Sequence, residues 1–585
     1  MLSKTVGFST LVVLTTAVAI ITATTTTNAA ATSSRSQPMA NNWAATQQSN
    51  DRQSHRVGPL PWAAGEDPIR ESYAGNFPIR QWTTKVGSKA DAEMFYWFFP
   101  ALKPKVENPP LIIWLQGGPG ASSMIGLFYE TGPIHVTEDH KLIRNNNTWA
   151  TEYSMLFIEQ PVGTGYSFVD QGGSGKGSKH KKKSQSGRGS RGENDDEGDG
   201  DDDGDGDDTP EFDNEEEDDD DGDEDVRFEE LDAELERDQE EEAAFFATLP
   251  STHPFEVKVA AAASKRPRGQ TGNNDSKAED PDAMYTKAGY VKDQRAVVND
   301  MMIFLDQFYE RYPEQQKVDL YIAGQSYAGK FIPSIAHAIM DRNKKLNAKL
   351  LQSGDGKEVE ADGMMAMAET IGIQTVSKTA TKAKQRVIPI KGISMGNTMT
   401  DPITQIQIHA DHAYYLGLIT EPQADQMREY QRSAVELVKQ GRYLDANRFR
   451  GKIFNLFRNS TGGLNTFDIR KGSHGMNWKP MTALLNMPEI KDSLNVFGPR
   501  RSYLIQHNVP KQEVDRIERG RRMAEYKTDP EVKQAMRGDI MRSTKPLVAS
   551  LLDNGVKVLA YQGIFDFRDA PAGSTHWIET LDWRL

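Results

Sequence analysis

The hexapeptide GQSYAG, residues 324–329, follows the apolar run VDLYIA and precedes KFIPSIAHAIM. A serine in a tight strand-to-helix turn, flanked by small residues, presents its hydroxyl to a substrate, so Ser326 is a candidate nucleophile. The backbone N–H of Tyr327 then lies at a helix start, where negative charge is stabilised. The same six residues would also fit an ordinary turn with an N-cap serine. Two more glycine-rich turns follow apolar runs. In WLQGGPGASS (114–123) a glycine pair lets amide N–H groups approach a reacting oxygen. The other is EQPVGTGYSF (159–168). YQGIFDF (561–567) places Asp566 just past a further apolar run, downstream of Ser326, in the order nucleophile then acid.

The elements that must hold these turns are legible as short, continuous apolar runs ending in glycine or proline: PPLIIWLQGG (109–118), EYSMLFIEQPV (152–162), VDLYIAG (318–324), IKGISMGN (390–397) and GVKVLAYQG (555–563). Such runs suit strands buried on both faces of a parallel sheet. DAEMFYWFFPA (91–101) has the aromatic content of a strand. Between the runs lie helical periodicities such as AVVNDMMIFLDQFYERY (296–312), and the alternation predicts an α/β fold with a mostly parallel sheet flanked by helices. The predicted core comprises 71–170, 289–403 and 546–585. Residues 404–545, helical in pattern and without a buried-strand run, form an inserted cap.

Composition sets further bounds. The chain has 585 residues, 37 % of them apolar, and carries a formal charge of −15. Residues 193–242 alone hold 32 acidic residues against two arginines, a local charge of −30, so the remainder carries +15. The segment 171–288 cannot bury enough apolar surface to offset chain entropy and is expected to be a disordered acidic insertion. A milder insertion is expected at 345–387, and a disordered tail at 32–70. Lys4, the apolar stretch from Val6 to Ile21 and the small residues NAAAT at 28–32 read as a signal peptide over residues 1–31. Stable membrane insertion is not expected. The expected destination is the secretory pathway, either secreted or in a lysosome- or vacuole-like compartment. Asn146, Asn274 and Asn459 begin N-x-S/T sequons; of these, Asn146 and Asn459 are the glycosylation candidates. There is no cysteine, which removes disulfides and thiolate metal sites. No metal-ligand spacing such as H-E-x-x-H occurs, and no cofactor is indicated. The one concentrated basic run, KHKKK at 179–183, adjoins the acidic stretch and does not support nucleic-acid binding.

Five segments in order, WLQGGPGASSMIGLFYETGP, MLFIEQPVGTGYSF, YIAGQSYAGKFIP, GNTMTDP and VLAYQGIFDF, resemble the marker segments of serine carboxypeptidases, with the flavour of the vitellogenic-like branch. The resemblance covers about 72–170 and 289–585. It implies an α/β-hydrolase fold with a helical cap and removal of single residues from peptide C-termini. By position, it implies Ser326 as nucleophile and Asp566 as the acid that orients a histidine. It also implies an oxyanion hole of the Gly118 and Tyr327 N–H groups, and a substrate-carboxylate site of Trp114, Gln116, Glu130 and Gln325. Gln116 stands where asparagine is common and Gln325 where glutamate is usual. An amide donates at any pH, whereas a carboxyl must be protonated to donate, so substrate binding is expected to depend less on pH than in relatives.

The resemblance also implies a histidine from a G-x-x-H-type segment some fifty or more residues beyond the acid. Leu585 lies 19 residues past Asp566, and the single downstream histidine, His576, stands in surroundings that resemble the helix after the acid. His337 lies eleven residues after Ser326 on the same predicted helix, about 16 Å along its axis. His409 and His412 fall in the cap. The expectation is therefore an incomplete carboxypeptidase whose histidine and last strand are missing, leaving an apolar flank open. The alternative is an inactive relative that binds peptide C-termini, with the acidic insert docking basic partners. A homodimer is a candidate assembly for either.

Overall fold

The computed structural model describes residues 52–83, 89–170, 283–353, 386–472 and 477–584. The expected signal peptide, most of the expected acidic insertion, much of the expected milder insertion and Asn274 lie outside them. Ten strands are described: β1 (Tyr73–Thr83), β2 (Lys89–Phe99), β3 (Leu111–Leu115), β4 (Ile134–Val136), β5 (Leu142–Arg144), β6 (Ser154–Ile158), β7 (Phe168–Asp170), β8 (Leu320–Ser326), β9 (Ile390–Thr398) and β10 (Lys557–Tyr561). The main sheet runs β1-β2-β6-β3-β8-β9-β10, with β7 beside β2, and β4–β5 form a separate hairpin. From β6 to β10 every neighbour is parallel; β2 meets both β1 and β6 antiparallel.

Alternation along the strands explains why the runs read as continuously apolar. Leu111, Ile113 and Leu115 face one buried cluster; Ile112 and Trp114 face the other. β3 and β6 are buried at every position, which leaves no polar face to interrupt the pattern. The first cluster is covered by α1 (Gln294–Arg311) and α2 (Ala328–Ser353). α2 runs past the expected interruption at 345.

One expectation is corrected. Residues 52–70, expected to belong to a disordered tail, pack on the core from residue 52 onward. His55 is buried against the Tyr96 hydroxyl at 2.8 Å, Arg52 pairs with Glu71 and Glu314, and Leu60, Trp62 and Ile69 lie on the second cluster. A polar stretch is ordered here by a few specific contacts that composition does not report. β10 has the apolar composition of a central strand but stands at the sheet edge, with Leu559 59 % and Ile564, just beyond it, 69 % exposed.

The segment between β9 and β10 is largely helical. α3 (Glu421–Lys439) and α4 (Tyr443–Thr461) form an antiparallel pair, followed by α5 (Lys511–Met523), α6 (Pro530–Met536) and α7 (Lys545–Asp553). α3 starts at a capping box of Thr420 and Gln423. Beyond β10 comes α8 (Pro571–Glu579).

Candidate active site

Ser326 ends β8 in the left-handed region, at φ 58°. A non-glycine residue there is strained, and here the neighbours force the turn. A Cβ on Gly324 would meet the Leu115 carbonyl at 2.0 Å, and one on Gly329 the Met399 carbonyl at 2.7 Å. Small residues flank the serine because β3 and the end of β9 press on the turn from both sides. The Ser326 carbonyl accepts from Met399 N–H at 3.0 Å.

The loop after β3 closes against this turn. A Cβ on Gly117 would stand 2.5 Å from the Tyr327 nitrogen and 2.8 Å from Ser326 Cβ. Gly118 and Gly120 both need positive φ, 104° and 91°, to complete the loop. Among the described residues, neither the Gly118 nor the Tyr327 N–H donates a hydrogen bond. The Tyr327 hydroxyl donates to Asp539 Oδ2 at 2.5 Å, and Gln294 donates to the same oxygen at 2.7 Å, which anchors the turn to the segment after α6.

Trp114, Gln116, Glu130 and Gln325 form one cluster. Trp114 Nε1 donates to Gln116 Oε1 at 3.0 Å, Gln116 Nε2 lies 3.4 Å from Glu130 Oε1, and Gln325 Nε2 donates to that same oxygen. Glu130 Oε2 is buried without a partner. Burial pushes the Glu130 carboxyl up to about 7, with the two amide donors pulling the other way. Gly126 is required beside it, since a Cβ there would strike the Trp114 indole.

Asp566 lies in the turn after β10, 5 % exposed. Oδ2 accepts from Asn397 Nδ2 at 2.8 Å and Oδ1 from the Asp569 N–H at 3.1 Å. Burial first, then the neighbouring Asp569 carboxylate, pushes Asp566 up to about 7. The turn is seated on the cap: Phe567 stacks on Phe457 of α4 with centroids 3.8 Å apart. Asn397 adjoins Thr398, the register partner of Ser326, so the turn of Asp566 is held from beside the serine's own sheet neighbour.

Among the described residues no histidine is hydrogen-bonded to Ser326 or Asp566. His409 is buried between the carbonyls of Ile406 and Arg568 and is pushed down to about 4 by burial. His337 faces Asp341 at 3.5 Å, and His576 is exposed on α8. Asn146 and Asn459 are both exposed. No cluster of described residues could hold a metal ion. No described helix is long and apolar enough to cross a membrane.

Glu159 and Lys330 are among the buried ionisable groups that escaped the sequence reading. Glu159, 0 % exposed, accepts from Ser122 Oγ at 2.7 Å, Ser123 N at 3.2 Å and the Tyr526 hydroxyl at 3.2 Å, and burial pushes it up to about 7. Its signal was present in EQP, an acidic residue set between a buried strand and a glycine turn. Lys330, also 0 % exposed, donates to the Arg542 carbonyl from the first turn of α2, and burial lowers it to about 7.

With this geometry in hand, the comparisons agree with one another. The family model described as serine carboxypeptidase matches residues 68–186, 283–356 and 371–585. A probable serine carboxypeptidase CPVL of Dictyostelium discoideum is 24 % identical over 502 residues, 85 % of this chain; the chain spans 65 % of that relative's length. The venom serine carboxypeptidase of Apis mellifera is 25 % identical over 514 residues, 88 % of this chain and 72 % of that protein. Among solved structures, KEX1(ΔP), a prohormone-processing carboxypeptidase from Saccharomyces cerevisiae, superposes with a TM-score of 0.53 at 20 % identity, over 91 % of this chain and 82 % of that one, and shares its α/β-hydrolase fold. The chain belongs to the serine carboxypeptidase family.

Proposed function

We propose that this protein acts on the C-terminal peptide bond of peptides and proteins by serine-type hydrolysis. Ser326 is the nucleophile, and the N–H groups of Gly118 and Tyr327 receive the oxyanion that forms when it attacks. Asp566 orients the general base, a histidine supplied from outside the described residues. Trp114, Gln116, Glu130 and Gln325 hold the substrate's terminal carboxylate, with no metal or cofactor. The observation that carries the reading is the adjacency of two chemistries. Gln325 belongs to the amide–carboxyl cluster, and at the next residue, Ser326, the Gly117–Gly118 loop packs against the Tyr327 nitrogen, with neither the Gly118 nor the Tyr327 N–H donating a hydrogen bond among the described residues. A carbonyl one residue from a bound terminus would fall on the serine. The N-terminal apolar stretch and the exposed sequons at Asn146 and Asn459 favour a secretory-pathway setting.

A second reading is a protein that binds peptide C-termini without cleaving them, with the acidic segment as a docking arm. It is favoured by the lack of a described histidine on Ser326, because a serine without a base is a poor nucleophile. One experiment separates the two. The full chain is treated with a serine-directed phosphonate, and in parallel its affinity is measured for an acylated dipeptide with a free or an amidated C-terminus. Hydrolysis predicts labelling that is lost in Ser326→Ala, together with preference for the free terminus. Binding alone predicts the preference without labelling. Neither result in the intact protein would end both readings.

A further inference from the structure

Resting on Asp566 as the acid of this site, we propose that Asn397 is its positioning residue, a single side-chain amide that clamps both the carboxylate and the turn that carries it. Asn397 Nδ2 donates to Asp566 Oδ2 at 2.8 Å, and Asn397 Oδ1 accepts from the Gly563 N–H at 3.0 Å. The two ends of the turn 563–566 are thus held by one amide plane. Neither a carboxylate nor a simple donor could do both, since the clamp needs a donor toward the acid and an acceptor toward the backbone.

The backbone supports the assignment. Asn397 sits near the end of β9 at φ 45°, a left-handed conformation that asparagine tolerates better than most residues and that strains a strand end. Asn397 adjoins Thr398, which pairs with Ser326, so the same bend that kinks β9 delivers the amide to the turn after β10. Gly563 fits tightly beneath it: a Cβ there would stand 3.3 Å from Asn397 Nδ2. The charged groups around the turn leave Asn397 a specific task. Asp569 opposes ionisation of Asp566; Arg568 on the same turn, Lys330 from α2 and Arg450 from α4 act on Asp569. The Asn397 donor heads the influences that favour the charged form of Asp566.

The test reads the acid directly and needs no turnover. The full chain is labelled with aspartate carrying 13C at the carboxyl carbon, and the Asp566 signal, identified by its loss in Asp566→Asn, is titrated. Asn397→Gly keeps the left-handed backbone and removes the clamp; the midpoint of Asp566 is expected to rise by about one unit or more. Asn397→Asp replaces the donor by a like charge and is expected to raise it further, and it decides the question if the glycine variant does not fold. Asn495→Ala is the control. Asn495 also has positive φ, 54°, and donates to the Arg56 and Ala74 carbonyls, so its loss should lower Tm and leave the midpoint alone. An unmoved midpoint in folded Asn397 variants overturns the proposal. Phosphonate labelling is a separate arm: failure to label the wild-type chain counts against the hydrolytic reading, while the titration still decides the clamp.

Discussion

Gly117 lies so close to Ser326 that a methyl group on it would stand 2.8 Å from the serine Cβ and 2.5 Å from the Tyr327 nitrogen. The colliding atoms belong to backbone and to a Cβ, so no rotamer change relieves them. Gly117→Ala is therefore expected to push the glycine loop off the serine turn. The stability cost should be about 1–3 kcal/mol, as for other overpacked sites. Phosphonate labelling of Ser326 should fall far more than stability does, because the Gly118 N–H moves with the loop. A variant that labels at the wild-type rate would show that the loop takes no part in the chemistry.

Ser326 itself is held at φ 58°, where a side chain costs energy that glycine does not incur. Ser326→Gly should raise stability by about 1 kcal/mol while abolishing labelling. Ser326→Ala should abolish labelling without that gain. Calorimetry of the pair separates strain held for function from a turn that is merely tolerated; a glycine variant no more stable than the alanine variant would remove the strain argument.

The sheet was legible where the chain offered one environment only. β3 and β6 are buried at every position, and apart from Ser154 at the start of β6 they are apolar throughout. β10, KVLAY, lies in a similar apolar run and has a different fate, because composition records a strand and not whether it has a second neighbour. The site divides the same way. Ser326, Gly118, Gln116 and Gln325 sit in or at the edge of glycine-rich turns that follow apolar runs, and each turn is visible in sequence; Glu130 ends the helical segment Gly126–Glu130 that follows the first of them. Asn397, Glu159 and Lys330 act through partners 169, 37 and 212 residues away, respectively, and apart from the EQP setting of Glu159 nothing local marks them until those partners are known.

In the cluster proposed to hold a substrate's terminal carboxylate, position 325 carries an amide, so Glu130 is the member that can set a pH response. Gln325 and Gln116 both donate to Glu130 Oε1, so a substrate carboxylate would meet Oε2, the oxygen without a partner. Oε2 donates to an anion only when protonated, which holds below about 7. Affinity for an acylated dipeptide with a free terminus should be level below that pH and fall by up to about tenfold per unit above it. The amidated peptide should show no such fall, and Glu130→Gln should flatten the profile of the acid. Titration calorimetry from pH 5 to 9 measures all three; a fall that persists in Glu130→Gln would place the pH response elsewhere.

Glu159 carries a different pH response, in stability rather than binding. It is wholly buried, ties Ser122 and Ser123 of the glycine loop to Tyr526 of the cap region, and is pushed from an ordinary 4.5 up to about 7 by burial. The folded state therefore binds a proton that the unfolded chain has released between those two values. The stability this contributes is fully present below pH 4.5, declines as pH rises, and is lost above about 7. The span corresponds to on the order of 3 kcal/mol. Glu159→Gln has no proton to lose and keeps an oxygen for the Ser122 and Tyr526 hydroxyls, so urea unfolding of this variant should vary less between pH 5 and 7.5 than that of the wild type. The two proteins should be closest in stability at the acid end. If their slopes with pH are equal, the Glu159 carboxyl is ionised within the fold throughout this range, and the loop is held by a charge rather than by a neutral acid.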